Sequence, residues 1–206
     1  MLTDRDLRAA SRDLAQRDDV MRDLYEIHGP CQLRPRQPSH FVALARAIVY
    51  QQLSGAAART IWGRVSDLLG PRPTPEDVLA TDHDDLRGAG LSNSKALSIR
   101  DLATKVAEGS VKLRDVSRLD DDAVIERLLP IRGIGPWTAE MFLIFQLRRP
   151  DVWPIGDLGV RKGYGLAYLD GRTPEAEELE PLGERFRPYR SVAAWYLWRA
   201  TETLTP

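Results

Sequence analysis

The sequence predicts an all-α protein, and three observations carry that prediction. No alternation of apolar and polar residues persists beyond a few positions, apolar residues recur at helical spacing from one end of the chain to the other, and proline and glycine punctuate the runs. In chain order, Phe41, Leu44, Ala45 and Ile48 form one helical face. Pro71 to Pro75 is a proline-rich break, with Thr74 placed to cap the short helix that follows. Ala96, Ile99, Leu102, Ala103 and Val106 form a second face, stopped by Gly109. Val124, Ile125, Leu128 and Leu129 form a third, which ends at Pro130 because proline disfavours the helical conformation in the residue before it. Arg161 to Tyr168 and Val192 to Leu204 are further helical candidates.

Between the third face and the next helix the chain reads Ile131, Arg132, Gly133, Ile134, Gly135, Pro136. Two glycines one residue apart permit a tight hairpin with positive backbone dihedrals, and Pro136 fits the first turn of a helix, where its missing N–H is not needed. That helix is expected over Trp137 to Leu147, apolar nearly all round and therefore buried. The local pattern is helix, hairpin, helix.

Composition bounds the function. The 206 residues are 43% hydrophobic and 29% charged, a globular balance that excludes wholesale disorder. The single cysteine, Cys31, excludes an intrachain disulfide and a multi-cysteine zinc or iron–sulfur site. No apolar run approaches the ~18 residues of a membrane span and no targeting signal is evident, so a cytoplasmic protein with no membrane partner is expected. His28, His40 and His83 lie far apart, without metal-ligand spacing. A net charge of −1 argues against a whole-surface basic field of the kind that attracts nucleic acid. Basic residues are nevertheless concentrated: Arg132, Arg148, Arg149, Arg161 and Lys162 face only three acids over the same stretch, and four arginines with no acid run from Arg185 to Arg199. Any DNA face is expected there.

A glycine pair at a helix start exposes backbone N–H groups to a phosphate, with Thr138 and Arg132 as additional donors. A plain helix–helix turn needs glycine for geometry alone, so the tripeptide by itself does not decide between them. Ser92 to Lys95 opens another helix start, where a phosphate contact and a simple N-cap fit equally. Asp157 follows Gly156 and precedes a helix, and on position alone it is an N-cap.

The neighbouring motifs change these odds. Gly133-Ile-Gly-Pro-Trp-Thr-Ala139, followed after a charged turn by Pro154-Ile-Gly-Asp-Leu-Gly-Val-Arg-Lys-Gly163, resembles the helix-hairpin-helix DNA glycosylases, most closely the alkylation-repair branch, the 3-methyladenine DNA glycosylase II family. Ala47-Ile-Val-Tyr-Gln-Gln-Leu-Ser54 upstream and Arg187-Pro-Tyr-Arg-Ser-Val-Ala-Ala-Trp-Tyr-Leu-Trp198 downstream extend the resemblance over about residues 38 to 200. It implies two helical lobes around an active-site cleft with the hairpin beside it, in the compact form without an N-terminal β domain. One lobe is expected over 38–155, the other over 1–37 plus 156–206.

The implied activity is hydrolysis of the N-glycosidic bond of alkylated purines in damaged double-stranded DNA, by a monomer acting on a flipped base. Asp157 is implied as the catalytic aspartate. A fixed carboxylate suits the chemistry because a sugar transition state with oxocarbenium character is stabilised by nearby negative charge. An alkylated base that already carries positive charge leaves without a strong general acid, so no partner carboxylate is needed. Related enzymes that also cut the strand carry a lysine nucleophile two residues after the second hairpin glycine; here that residue is Trp137, so the product is expected to be an abasic site. The non-enzymatic alternative is a helix-hairpin-helix DNA-binding module, in which Asp157 is only a cap.

The resemblance also assigns a base pocket to Trp137, Met141, Leu158 and Trp198, while Trp62 and Trp195 are assigned to packing. Tryptophan favours a cationic base through its ring face. Gln51, Gln52 and Leu53 match the loop that plugs the gap left by the flipped base, the wedge being Gln52 or Leu53, although a glutamine pair also simply marks a helix end. Phosphate contacts fall to Arg132, Gly133, Gly135, Thr138, Arg161 and Lys162. No cofactor is required; a structural Na+ or K+ on the backbone carbonyls of Leu129, Ile131 and Ile134 is implied by the resemblance alone.

Overall fold

The computed structural model describes residues 1–33 and 36–204, and all regular structure among them is helical. The helices are α1 (Asp4–Arg17), α2 (Asp19–His28), α3 (His40–Tyr50), α4 (Gly55–Leu69), α5 (Pro75–Ala80), α6 (His83–Gly88), α7 (Asn93–Ala107), α8 (Asp121–Leu128), α9 (Pro136–Met141), α10 (Leu158–Tyr168), α11 (Ala176–Leu182) and α12 (Arg190–Thr203). Side chains stop most of them at the N-terminus. Thr3, Asp18, Ser39, Ser54, Thr74, Ser92, Asp120 and Asp157 each accept a bond from a backbone N–H of the first turn. Thr3 and Thr74 do so within reciprocal capping boxes with Asp6 and Asp77. Ser92 is therefore a cap, and the Thr74 cap lies where the proline-rich break places it.

The chain divides into two compact units. One is Arg36–Phe142, containing α3 to α9. Its core is built from the predicted faces: Phe41, Leu44, Ala45 and Ile48 of α3 are buried, as are Ala96, Ile99, Leu102 and Ala103 of α7 and Val124 and Leu128 of α8. The other unit joins Met1–Pro35 to Leu143–Pro206, so α1 and α2 share it with α10, α11 and α12. The chain passes between units after Phe142 rather than after Ile155, because the buried residues Leu143, Ile144 and Leu147 go with the second unit.

In that second unit α10 and α12 pack with their backbones close. A Cβ on Gly163 would meet the Leu197 carbonyl oxygen at 2.0 Å, and one on Gly159 would meet the Trp198 ring at 2.8 Å. These two glycines, four residues apart, lie on one face of α10 and allow α12 its approach. The helix expected over Trp137 to Leu147 is not uniform. It is α-helical to Met141 and then relaxes into a π turn over Phe142–Gln146, at the passage between units. Nor is it buried all round, since Trp137 keeps 43% of its surface exposed.

Candidate active site

Asp157 stands at the end of a loop held on both sides. Ahead of it, Val152 N–H donates to Ser191 Oγ at 3.0 Å and the Trp153 indole donates to the Leu179 carbonyl at 3.0 Å. Behind it, α10 begins. Asp157 Oδ1 accepts the Val160 N–H at 2.9 Å, which is the expected cap, and also the Trp198 indole N–H at 2.8 Å. The second bond is not part of any capping motif. It comes from α12, and it fixes the carboxylate in a single rotamer with only 8% of the residue exposed. A helix needs no tryptophan from another helix to cap it, so the geometry goes beyond the plain N-cap.

Trp198 is itself held. Its ring stacks on Phe145 with centroids 5.6 Å apart and planes 23° from parallel. Gly159 leaves room beside it, since a Cβ there would approach both Trp198 and Asp157 Oδ1. Of the other residues expected at a base pocket, Leu158 is 54% exposed beside Asp157, Trp137 is exposed at the start of α9, and Met141 is half-buried.

The hairpin occupies the other unit. Gly133 has φ +77°, the left-handed conformation that favours glycine, and a Cβ there would meet Ser98 Oγ at 2.7 Å. Gly135 differs from expectation, with φ −102° and ψ 179°. Any residue adopts that conformation, and nothing lies within 4 Å of where its Cβ would be. The chain thus has no internal need for glycine at 135. The N–H groups of Gly133 and Gly135 find no acceptor among the described residues, whereas that of Arg132 donates to Asp101 Oδ2 at 2.8 Å. Of the three carbonyls expected to face a cation, that of Ile131 already accepts the Ile134 N–H at 3.0 Å and so keeps one lone pair.

A buried aspartate held by Val160 and Trp198 at a helix start and a glycine hairpin open at Gly135 are joined by the family comparison. Residues 45–188 match the model of the HhH-GPD superfamily of base excision DNA repair proteins. The chain belongs to that superfamily. It is similar to DNA-3-methyladenine glycosylase 1 of Schizosaccharomyces pombe, 37% identical over 77% of this chain and 71% of that protein. It is also similar to the alkylbase DNA glycosidase-like protein mag2 of the same yeast, 31% identical over 97% of this chain and 96% of the relative. Among solved structures, the Schizosaccharomyces pombe 3-methyladenine DNA glycosylase (Mag1) in complex with abasic DNA superposes with a TM-score of 0.86 at 32% identity, covering 96% of this chain and 99% of that one.

For an HhH-GPD chain several expected contacts are already spent. The Thr138 side chain is buried and accepts from Gln51 Nε2 at 3.1 Å, so its hydroxyl is turned from solvent and not toward a phosphate. Gln51 also donates to the Gly133 carbonyl at 2.8 Å, which makes it a tie to the hairpin and leaves Gln52 and Leu53 as the exposed wedge candidates. Arg161 pairs with Glu175 and donates to the Pro174 carbonyl at 2.7 Å. Its neighbour Lys162 is exposed, as is Arg132.

Most arginines of the basic stretches are likewise paired with acids of the same chain. Arg148 pairs with Asp4, Arg185 with Asp18, Arg187 and Arg190 with Asp151, and Arg199 with Glu202. Counting charges along the sequence could not reveal this, because three of those carboxylates lie outside the counted stretches. Gly159 and Phe145 carry no role in the sequence reading, and Lys95 enters it only within a helix start open to a cap or a phosphate. The G-x-x-x-G spacing from Gly159 to Gly163 was the available signal for close packing of α10.

Proposed function

We propose that this chain is a monofunctional DNA glycosylase that hydrolyses the C1′–N bond of alkylated purines of the 3-methyladenine type and leaves an abasic site. The observation that carries the proposal is Asp157, whose carboxylate is oriented by Val160 and by Trp198 in a chain of the HhH-GPD superfamily. As the glycosidic bond breaks, its electron pair leaves with the cationic base and positive charge develops at C1′ and the ring oxygen. A fixed carboxylate stabilises that charge without rearrangement during the step. Water then adds to C1′ and loses its proton to Asp157 or to solvent. Trp137 stands where strand-cutting relatives carry an amine nucleophile, which supports hydrolysis without lyase chemistry. The names of the relatives support the alkylated base as substrate.

In this reading the unbonded N–H groups of Gly133 and Gly135 take a backbone phosphate with Arg132 adding charge, and Lys162 is a separate phosphate contact. Gln52 or Leu53 fills the gap in the duplex. Trp137, Met141, Leu158 and Trp198 are the residues that the family resemblance offers as contacts to the base. Carbonyls of Leu129, Ile131 and Ile134 would hold a monovalent cation that stiffens the hairpin and takes no part in bond cleavage.

Duplex DNA treated with a methylating agent is expected to release free methylpurine on incubation with the protein, its strands remaining intact until alkali is added. Tight binding with no released base would leave only the DNA-binding module. Gly135→Ala separates the hairpin's task from its folding. With an unstrained backbone and open space at Cβ, the variant is expected to be as stable as the parent or about 0.4–1 kcal/mol more so. Its methyl group would crowd an approaching phosphate, so DNA affinity should fall roughly tenfold, the equivalent of one hydrogen bond of about 1.4 kcal/mol. Unchanged binding would move the phosphate elsewhere.

A further inference from the structure

We infer that Lys95 is a positioning residue that presents the exposed turn Gln52–Leu53 to DNA, and that the face of α7 carrying it holds this turn and the hairpin in mutual register. The inference rests on the proposed entry of that turn into the duplex, and it concerns only the Arg36–Phe142 unit.

The last carbonyls of a helix are left without intrahelical partners. At the end of α3 they meet an ammonium group: Lys95 Nζ donates to the Val49 carbonyl at 2.8 Å and to the Gln51 carbonyl at 2.7 Å. A cation at a helix C-terminus is favourably placed, and here it also bonds the first residue beyond the helix. Immediately afterwards Gln52 takes φ +55°, a left-handed conformation uncommon for a side-chain-bearing residue. Such a conformation persists where its surroundings over-determine it. The bond to the Gln51 carbonyl fixes the peptide that enters Gln52, and the Ser54 cap of α4, which accepts from Ala57, fixes the chain that leaves Leu53.

The same helix reaches the hairpin. Lys95, Ser98 and Asp101 are spaced three residues apart and share one face of α7. Ser98 lies under Gly133, where a Cβ would touch its hydroxyl, and Asp101 accepts the Arg132 N–H. Burial alone would raise the Asp101 carboxyl, but bonds from Lys105 and from that N–H outweigh it and hold it below the usual carboxylate range. The fourth link is Gln51, whose side chain donates to Gly133 and Thr138 while its carbonyl accepts from Lys95. Turn, hairpin and α7 are thereby closed into one hydrogen-bonded ring. Desolvation makes the Lys95 ammonium easier to deprotonate than an ordinary lysine, in keeping with an inward-facing group rather than one waiting for a phosphate.

A residue that positions a wedge matters only when a base pair has to be opened. The test therefore compares single-turnover base release from one methylated purine in two settings, fully paired and in an unpaired bulge. Release by the unmodified protein tests the proposed function; the ratio between the two substrates tests this inference. For Lys95→Met the paired substrate is expected to slow by roughly tenfold to a hundredfold, and the bulged one by less than about threefold. Lys95→Arg keeps a cation and its donors and should recover most of the paired rate. Gln51→Ala cuts the ring at a second point and should show the same bias if Lys95→Met proves too unstable to purify. Equal slowing on both substrates, or no slowing on either, would overturn the inference.

Discussion

Asp157→Asn is expected to abolish base release while leaving the fold intact. Asparagine caps helices about as well as aspartate, and its carbonyl oxygen can still accept the Val160 N–H and the Trp198 indole N–H. What is lost is the negative charge opposite the developing oxocarbenium ion. Removal of one preorganised electrostatic group costs about a hundredfold to a thousandfold in rate, so excision under single-turnover conditions should fall at least that far with little change in melting temperature. Retained activity would remove Asp157 from the mechanism. Trp198→Phe provides the companion measurement, since it keeps an aromatic ring against Phe145 and removes the indole donor along with part of the ring. A hydrogen bond to a charged group contributes about 1.5–3 kcal/mol, which sets the expected loss at about tenfold to a hundredfold.

Gly163→Ala is expected to have the largest effect on stability. The added methyl would lie 2.0 Å from the Leu197 carbonyl oxygen and 2.6 Å from its carbon, and both are backbone atoms of a helix that cannot swing aside as a side chain would. The two helices must separate. Overpacking of this kind costs typically 1–3 kcal/mol and sometimes more, and the contact with backbone places this site at about 3 kcal/mol or above. A lowered denaturant midpoint with an unchanged slope would report it. Because α10 carries Asp157 at its start and α12 carries Trp198 next to Leu197, whatever fraction stays folded should also be slow in excision. A variant as stable as the parent would show that the helices are not held at this distance.

These two sites mark how far the sequence alone could be followed. The faces of α3, α7 and α8 were legible because buried positions repeat at the helical period, and the Gly133–Pro136 turn was legible because glycine and proline report backbone geometry directly. The catalytic assignment of Asp157 was not legible from its position, which any N-cap shares; it came from the order of the surrounding motifs. Its bond to Trp198 joins residues 41 apart in the chain and leaves no local trace. Gly135 was misread for a related reason. Glycine shows that a side chain is absent, but not whether conformation, packing or an outside ligand demands it. Gln51 reads as part of a wedge loop or a helix end and Lys95 as part of a helix start, because the carbonyls they satisfy belong to every residue and mark none. Short apolar runs likewise gave no indication that the helix after the hairpin would loosen into a π turn.

The arginine pairs have a consequence for how DNA binding responds to salt. A cationic side chain gains affinity for duplex DNA largely by releasing condensed counterions, with an exponent of about 0.9 per phosphate neutralised. Arg148, Arg161, Arg185, Arg187, Arg190 and Arg199 are each already matched by a carboxylate of the same chain, so each must break an internal pair before it can displace a counterion. These six therefore add less to the salt dependence of DNA binding than the same number of unpaired arginines would.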